Sequence, residues 1–442
     1  MAPRVDPVAS DPTLPPKTAV VVIGGGIIGT STAFFLARKG MPVALCEKGE
    51  IAAEQSSRNW GWCRKMGRDP REIPLIIESL RLWPEMNRLT GAETGFRQCG
   101  IVYLCKTPAE LAKRTAWLEV ARPYQIDSRL LSAAELQSVL PNLQGNWAGG
   151  LYTPSDGRAE PTKAAPAIAE AARRHGGAVL TRCAVRGIET KGGRISAVVT
   201  EKGAIACESA VLAGGAWSRL FLGNLGVRLP QLRVISAVMR TEKLDGGPEV
   251  SAAGEGFGFR KRLDGGYTIA NWSNNRFDLT PDAFRYFMDF LPALRMQRGA
   301  VRVRIGSRFL EEWQTPRRWA LDQTSPFERV RTLDPEPDEA ILAEAQKNVS
   351  AAFPVFRDMR IAERWGGAID VTPDAVPVIS PVETMPGLFI ATGFSGHGFG
   401  IGPGAGQLMA NLVSGESPIV DPAPFRFSRF TDGSRPRPSP LV

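Results

Sequence analysis

Ala19-Val-Val-Val-Ile-Gly24-Gly-Gly26-Ile-Ile-Gly29-Thr-Ser-Thr-Ala-Phe-Phe-Leu-Ala-Arg-Lys-Gly40-Met-Pro-Val-Ala-Leu-Cys-Glu47 holds a strand, a turn, a helix and a second strand in register. The β-branched run from Ala19 to Ile23 reads as a buried parallel strand, and Gly24, Gly26 and Gly29 follow it in G-x-G-x-x-G spacing. Each glycine has a mechanical role. Gly24 makes the tight turn, Gly26 lets backbone approach a pyrophosphate, and Gly29 lets the helix lie close on the strand. The free amides and positive end of the helix that follows suit phosphate. Ala33, Phe34, Leu36 and Ala37 recur at helical spacing over 28–39, and Gly40 is the C-cap. The second strand, Val43 to Leu45, delivers Glu47 and then Lys48. An acid roughly 20 residues after the glycines accepts from ribose hydroxyls and repels a 2′-phosphate. The unit is therefore a dinucleotide site.

Working outward, 442 residues with 43% hydrophobic content can bury a large core in two interleaved domains. No apolar run reaches the length of a membrane-spanning helix, and the proline-rich start lacks a signal peptide's apolar centre. These features suggest a cytoplasmic protein and leave peripheral membrane association open. The six cysteines form no C-x-x-C pair, and two histidines are too few for a metal centre, so no metal is expected. The net charge of +9 is spread along the chain without aromatic interleaving, which argues against nucleic acid and for a field that attracts anionic substrates or simply a solvated surface.

The pattern over 161–175 is helical and ends at Gly176-Gly177; strand-like runs follow at 178–180, 194–200 and 210–213. Between 231 and 364 strands dominate, including Tyr267 to Trp272, with helical windows at 281–290 and 337–352. A strand at 387–392, a glycine-rich loop and a helix at 404–414 then return to the doubly wound pattern. The expected fold is α/β: a Rossmann-like domain from 18–105, 150–230 and 365–430, and a β-rich substrate domain from 106–149 and 231–364. Residues 1–17 and 431–442 read as mobile ends.

Four segments together resemble the D-amino-acid oxidase and sarcosine oxidase superfamily of FAD-dependent oxidoreductases. They are Val20 to Glu47; Ser56-Ser-Arg-Asn-Trp-Gly-Trp62; Ala210-Val-Leu-Ala-Gly-Gly-Ala-Trp-Ser218; and Asp370 to Ile379 continuing into Ala391-Thr-Gly-Phe-Ser-Gly-His-Gly-Phe-Gly400-Ile-Gly-Pro-Gly-Ala-Gly406. In such proteins these segments line FAD. The resemblance places Gly24, Gly26, Ile27, Ile28, Gly29, Glu47 and Lys48 at the pyrophosphate and ribose. It places Ser56, Ser57, Arg58, Asn59, Trp60 and Gly61 along the pyrophosphate and onto the flavin. It puts Val185 at the adenine and Ala213, Gly214 and Trp217 beside the ribityl chain. Gly393, Gly396, His397, Gly398, Phe399, Gly400 and Ile401 pass the isoalloxazine edge, with Gly402 to Gly406 opening a helix towards flavin N1 and the C2 carbonyl. A positive helix end there stabilises the negative charge of reduced flavin. A nicotinamide enzyme has no use for this second glycine-rich loop, which sets FAD ahead of NAD.

The resemblance implies hydride transfer from the carbon bearing nitrogen of an amine or amino acid to flavin N5. The imine then hydrolyses to a keto acid or aldehyde, and oxygen or another acceptor reoxidises the flavin. A carboxylate substrate needs an arginine fork. Arg64, close after the flavin loop, and Arg260, in the second domain, are the leading candidates, with Arg304 and Arg308 behind them. His397, Tyr267 and Trp272 are further catalytic or pocket candidates, and Trp60, Trp62 and Met66 suggest a pocket larger than glycine needs. Gly400 stands where sarcosine-oxidising relatives carry lysine, which argues against simple sarcosine oxidation. No histidine stands at Asn59 to Trp60, so non-covalent FAD is expected. The alternatives are an NAD-dependent or 2-hydroxy-acid dehydrogenase, a non-catalytic flavoprotein, and an RNA-modifying flavoprotein. Assembly into a homo-oligomer stays open.

Overall fold

The computed structural model describes residues 3–296, 301–434 and 436–439. Its first layer is a six-stranded sheet in the order 378–381, 388–392, 209–212, 20–23, 43–46 and 178–180. Five strands are parallel, and Val378–Pro381 runs antiparallel along the edge. Side chains of Val20–Ile23 alternate between two cores, as strand period demands. Val20 and Val22 pack beneath the helices Ile27–Arg38, Pro161–Arg174 and Gly398–Ser414. Val21 and Ile23 face an antiparallel three-stranded sheet, 185–191, 194–200 and 203–206, through Val185, Ile188, Val198 and Ile205. Both faces are thus covered, and all four residues of the strand are buried.

The second layer is a ten-stranded mixed sheet. Its spine is the antiparallel pair Leu232–Thr241 and Ile361–Val371, registered from Leu232 opposite Val371 to Thr241 opposite Ile361. Helix Glu339–Ala352 covers one face, packing Ile341, Leu342, Ala345 and Val349 against Phe257 and Phe259. Strands Ile101–Cys105, Gly149–Thr153 and Ile361–Val371 pair in this sheet, although residues 101–105, 150–153 and 365–371 were expected on the nucleotide side. Their apolar runs suit either sheet, and only long-range pairing decides between them. The last strand leads from the ten-stranded sheet to Asp370, which accepts from the Gly393 amide beside the six-stranded sheet. The segment from Pro281 to Gln314 makes helices Pro281–Arg285, Phe287–Met296 and Ser307–Gln314 and leaves Met288, Ile305, Leu310 and Trp313 exposed.

The expectation of a mobile end over 1–17 is corrected for its described part. Asp6 and Asp11 donate backbone N–H groups to Thr162 and Val179 at 3.0 and 2.8 Å. The Asp11 carboxylate accepts from the Val179 amide at 2.6 Å, and Val8 is buried. The proline-rich segment has no ladder of its own, so it caps the open edge at Ala178–Leu180. At the other end, Arg426 pairs with Asp432 at 2.8 Å and Arg71 donates to the Arg437 carbonyl at 3.2 Å. Met1, Ala2, Arg435 and 440–442 lie outside the described residues.

Candidate active site

One cavity runs between the two layers, and the glycine-rich segments form its nucleotide end. Gly24 has φ +109°, and a Cβ there would lie 2.4 Å from the Ala213 carbonyl oxygen. A Cβ on Gly29 would lie 1.9 Å from the Gly24 carbonyl oxygen, so glycine is what lets the helix touch the strand. Gly26 meets only the Ser56 hydroxyl, at 3.0 Å, and otherwise opens to the cavity; that hydroxyl accepts from the Ile27 amide at 2.8 Å. The Glu47 carboxylate accepts from the amides of Gly25 and Gly49 at 2.6 and 2.7 Å. Burial pushes its carboxyl above the ordinary value, against Lys48 and the two amides. Glu54 accepts from Trp217 Nε1 at 2.9 Å and pairs with Lys48, whose ammonium lies 4.6 Å from the Trp217 ring. Small residues, a helix start and a carboxylate at these places suit a pyrophosphate and a ribose without 2′-phosphate.

The flavin loop reaches the cavity through residues 394–400. His397 is the N-cap of helix Gly398–Ser414, so the helix starts before the expected 404 and its first residues line the cavity. The later glycines serve packing instead. A Cβ on Gly402 would meet Ile27 at 2.6 Å, one on Gly404 would meet Ser79 at 2.9 Å, and one on Gly406 would meet Ser31 at 2.3 Å. His397 Nδ1 lies 3.0 Å from Glu72 Oε2. Burial alone would raise the Glu72 carboxyl, but His397, Arg68 and Arg64 hold it below the ordinary value. Burial also keeps His397 below its ordinary value, opposed in part by Glu72.

Most of the expected cofactor residues line this cavity: Gly24, Gly26, Ile27, Ile28, Glu47, Lys48, Ser56, Arg58, Asn59, Trp60, Gly61, Val185, Ala213, Gly214, Trp217 and 396–400. Gly29, Ser57, Gly393 and Ile401 do not. Gly29, within helix Ile27–Arg38, faces the Gly24 carbonyl, the Gly393 amide donates to Asp370 at 2.7 Å, and Ile401 points into the apolar core. The Ser57 hydroxyl turns back to the Glu54 carbonyl at 3.2 Å. Arg58 touches the cavity: its Nη1 donates to Asp334 at 2.6 Å and the Gly366 carbonyl at 2.9 Å and its Nε to the Ala53 carbonyl at 3.2 Å, while its buried Nη2 has no partner among the described residues.

Of the substrate candidates, Arg64, Trp272 and His397 line the cavity, whereas Arg260 and Tyr267 do not. Arg260 is 1% exposed and makes a bidentate ion pair with Glu160 at 2.7 and 3.0 Å. Tyr267 packs against Phe356 at 4.9 Å and donates to the Pro248 carbonyl at 3.1 Å. Both belong to the interior because their strands, Phe257–Lys261 and Tyr267–Ala270, are buried along nearly their whole length. Arg304 pairs with Asp278, as does Arg308. Met66 is fully buried off the cavity.

Arg64 Nη1 donates to the carbonyls of Met66 and, at 3.2 Å, Gly67. Among the described residues nothing bonds Nε and Nη2, so that edge of the guanidinium offers two parallel donors. Aromatic rings wall the same region: Trp60 against Trp62 at 5.3 Å, Trp62 against Tyr103 at 6.2 Å and Tyr103 against Trp272 at 4.9 Å. Sequence reasoning missed Arg68, Tyr103, Asn271 and Asp370, which also line the cavity. Asp370 opens a segment already quoted for its resemblance, and that was its available signal. It accepts from Gln55 at 2.8 Å and Gln231 at 2.9 Å, tying the layers together.

Residues 19–412 match the family model described as FAD dependent oxidoreductase. L-amino acid deaminase from Proteus myxofaciens, solved in complex with anthranilate, superposes with a TM-score of 0.94 at 36% identity over 98% of each chain. Glycine oxidase from Pseudomonas aeruginosa is 24% identical across 92% of this chain and 97% of its own length. Mitochondrial sarcosine dehydrogenase from Mus musculus is 25% identical across 94% of this chain, which spans 42% of that relative's length. The family match spans most of the chain, which belongs to the FAD-dependent oxidoreductase family.

Proposed function

We propose that the chain oxidises L-α-amino acids with aromatic or large apolar side chains, giving an imine that water converts to a 2-keto acid and ammonia. The observation that carries this reading is the unpaired Nε and Nη2 edge of Arg64 beside the rings of Trp60, Trp62, Tyr103 and Trp272, in the same cavity as the flavin loop. Anthranilate, held by the Proteus myxofaciens deaminase, joins an aromatic ring to a carboxylate, the two features that this edge and wall recognise. Glycine at 400 also fits: a Cβ there would lie 2.9 Å from the Trp62 carbonyl oxygen, leaving no space for a lysine.

FAD held by the glycine-rich segments would accept the α-C–H hydrogen as a hydride, which carries both electrons of that bond. Arg64 holds the substrate carboxylate and fixes which bond of the α-carbon faces the acceptor. The aromatic wall takes the side chain and excludes water. The substrate enters with its nitrogen as the neutral amine, the ammonium proton having passed to solvent water, and the start of helix Gly398–Ser414 presents positive potential to the reduced product.

Anaerobic mixing of the purified holoprotein with L- and D-amino acids, glycine, sarcosine and 2-hydroxy acids, while the visible flavin band is followed, tests this reading. Bleaching by L-phenylalanine or L-leucine, and not by their D forms or by glycine, is expected. Bleaching confined to sarcosine or 2-hydroxy acids, or none at all, overturns the reading.

A further inference from the structure

Asp156 is fully buried between strands Gly149–Thr153 and Gly157–Arg158. Its Oδ1 accepts from the Lys65 amide at 2.7 Å and its Oδ2 from the Met66 amide at 3.2 Å. These peptides directly follow Arg64, and the Met66 carbonyl in turn accepts from Arg64 Nη1. The carboxylate therefore holds the amide of the same residue whose carbonyl holds the guanidinium. Its own backbone is fixed, with the carbonyl accepting from Gly100 at 2.9 Å and Cys99 at 3.2 Å. On the far side of the loop, Arg68 Nε donates to the Arg64 carbonyl at 3.1 Å and its Nη2 to the His397 carbonyl at 3.4 Å. The loop is thus pinned between Asp156 and the flavin loop.

We propose that Asp156 is a positioning residue for substrate binding: its carboxylate clamps the loop that aims the Nε and Nη2 edge of Arg64, and protonating it releases that aim. This rests on the reading that Arg64 binds the substrate carboxylate. Lys65, Arg64 and Arg68 are the cations facing Asp156, with the Cys63 thiol nearby. None is ion-paired to it among the described residues, since Lys65 Nζ reaches instead to Ser155 and to Asp127 at 3.6 Å. Burial pushes the carboxyl up to about 6, opposed in part by the two amides, Lys65 and Arg64. A purely architectural turn residue would leave ligand affinity independent of pH around that value.

The experiment uses holoenzyme and follows benzoate binding, read as a shift of the visible flavin band, from pH 5.5 to 8, with benzamide as the uncharged control. In the wild type, benzoate affinity falls below about pH 6, approaching tenfold per pH unit, and benzamide affinity stays level. Asp156→Asn is expected to bind FAD, to bind benzoate at least tenfold more weakly at pH 8, and to lose the pH break. A break retained in Asp156→Asn, or affinity at pH 8 within twofold of wild type, overturns the inference alone. Should that variant not fold, the wild-type contrast decides: equal pH responses of benzoate and benzamide overturn the inference. Arg64→Ala binding benzoate as tightly as wild type overturns the anchor reading beneath it.

Discussion

Arg64 and Arg260 are chemically identical, and their partners alone give them different work. Arg260 meets a buried carboxylate with matching fork geometry, whereas Arg64 meets two carbonyls that use one nitrogen and leave its other edge free. Removing Arg260 strands Glu160 as an unpaired buried charge. Burial would raise the Glu160 carboxyl, and Arg260 holds it below the ordinary value. Arg260→Ala is therefore expected to cost about 3–5 kcal/mol, read as a lower melting temperature, while replacing both partners by apolar residues of similar size recovers most of the loss. A single variant as stable as the wild type would show that the ion pair does not hold the two layers together.

Helix Gly398–Ser414 would be a poor helix in isolation, because each interior glycine costs about 1 kcal/mol relative to alanine and Pro403 lacks a donor. Tertiary contacts repair it. Ser79 Oγ donates to the Gly400 carbonyl at 2.8 Å and accepts from the Gly404 amide at 3.1 Å, entering the helical ladder, and Trp83 Nε1 donates to the same carbonyl at 2.7 Å. Gly402 and Gly406 let helix Ile27–Arg38 approach on one side, and Gly404 lets helix Ile73–Leu82 approach on another. Gly406→Ala would force the Ser31 backbone away from 2.7 Å, an overpacking cost of about 1–3 kcal/mol. Because the same helix presents its start to the cavity, FAD affinity should fall with stability. Calorimetry and flavin titration check this, and a variant that loses stability but binds FAD unchanged would uncouple the packing face from the site.

At the scale of the whole molecule, buried carboxylates pull stability in opposite directions with pH. Glu72 and Glu160 sit below their ordinary values, so their contribution is full above the unfolded-state value and is lost as pH falls through the folded one. Asp156 is pushed up to about 6, so its charged form is the costly one and stability is gained as pH falls through that value. His397, held low by burial, works against Asp156 by losing stability as the unfolded chain takes up its proton. Comparison with Asp156→Asn isolates one group: from pH 7.5 to 5.5 the wild type should gain on the variant by about 1 kcal/mol. Denaturant melts at both pH values check the difference, and a constant gap would mean Asp156 does not titrate there. Below about pH 4 both proteins should lose stability together. Among the described residues no helix is long and apolar enough to cross a membrane.

The sequence by itself determined the nucleotide half. Gly24, Gly26, Gly29 and Glu47 act through demands of local backbone, a turn, a close approach and a strand end, so their spacing carries their meaning. The α/β class, FAD and the family were legible for the same reason, and the second glycine-rich loop separated FAD from NAD. Tertiary structure alone decided the substrate half. Whether an arginine is an anchor or a buried partner depends on residues far along the chain: Glu160 lies 100 positions from Arg260 and Asp156 lies 91 positions from Lys65. The aromatic wall likewise joins Trp60, Tyr103 and Trp272 from three separate segments. The start of the C-terminal helix and the docking of the first residues escaped prediction because proline and glycine disfavour regular structure locally, whereas close packing and the capping of an open sheet edge outweigh that preference in the folded chain.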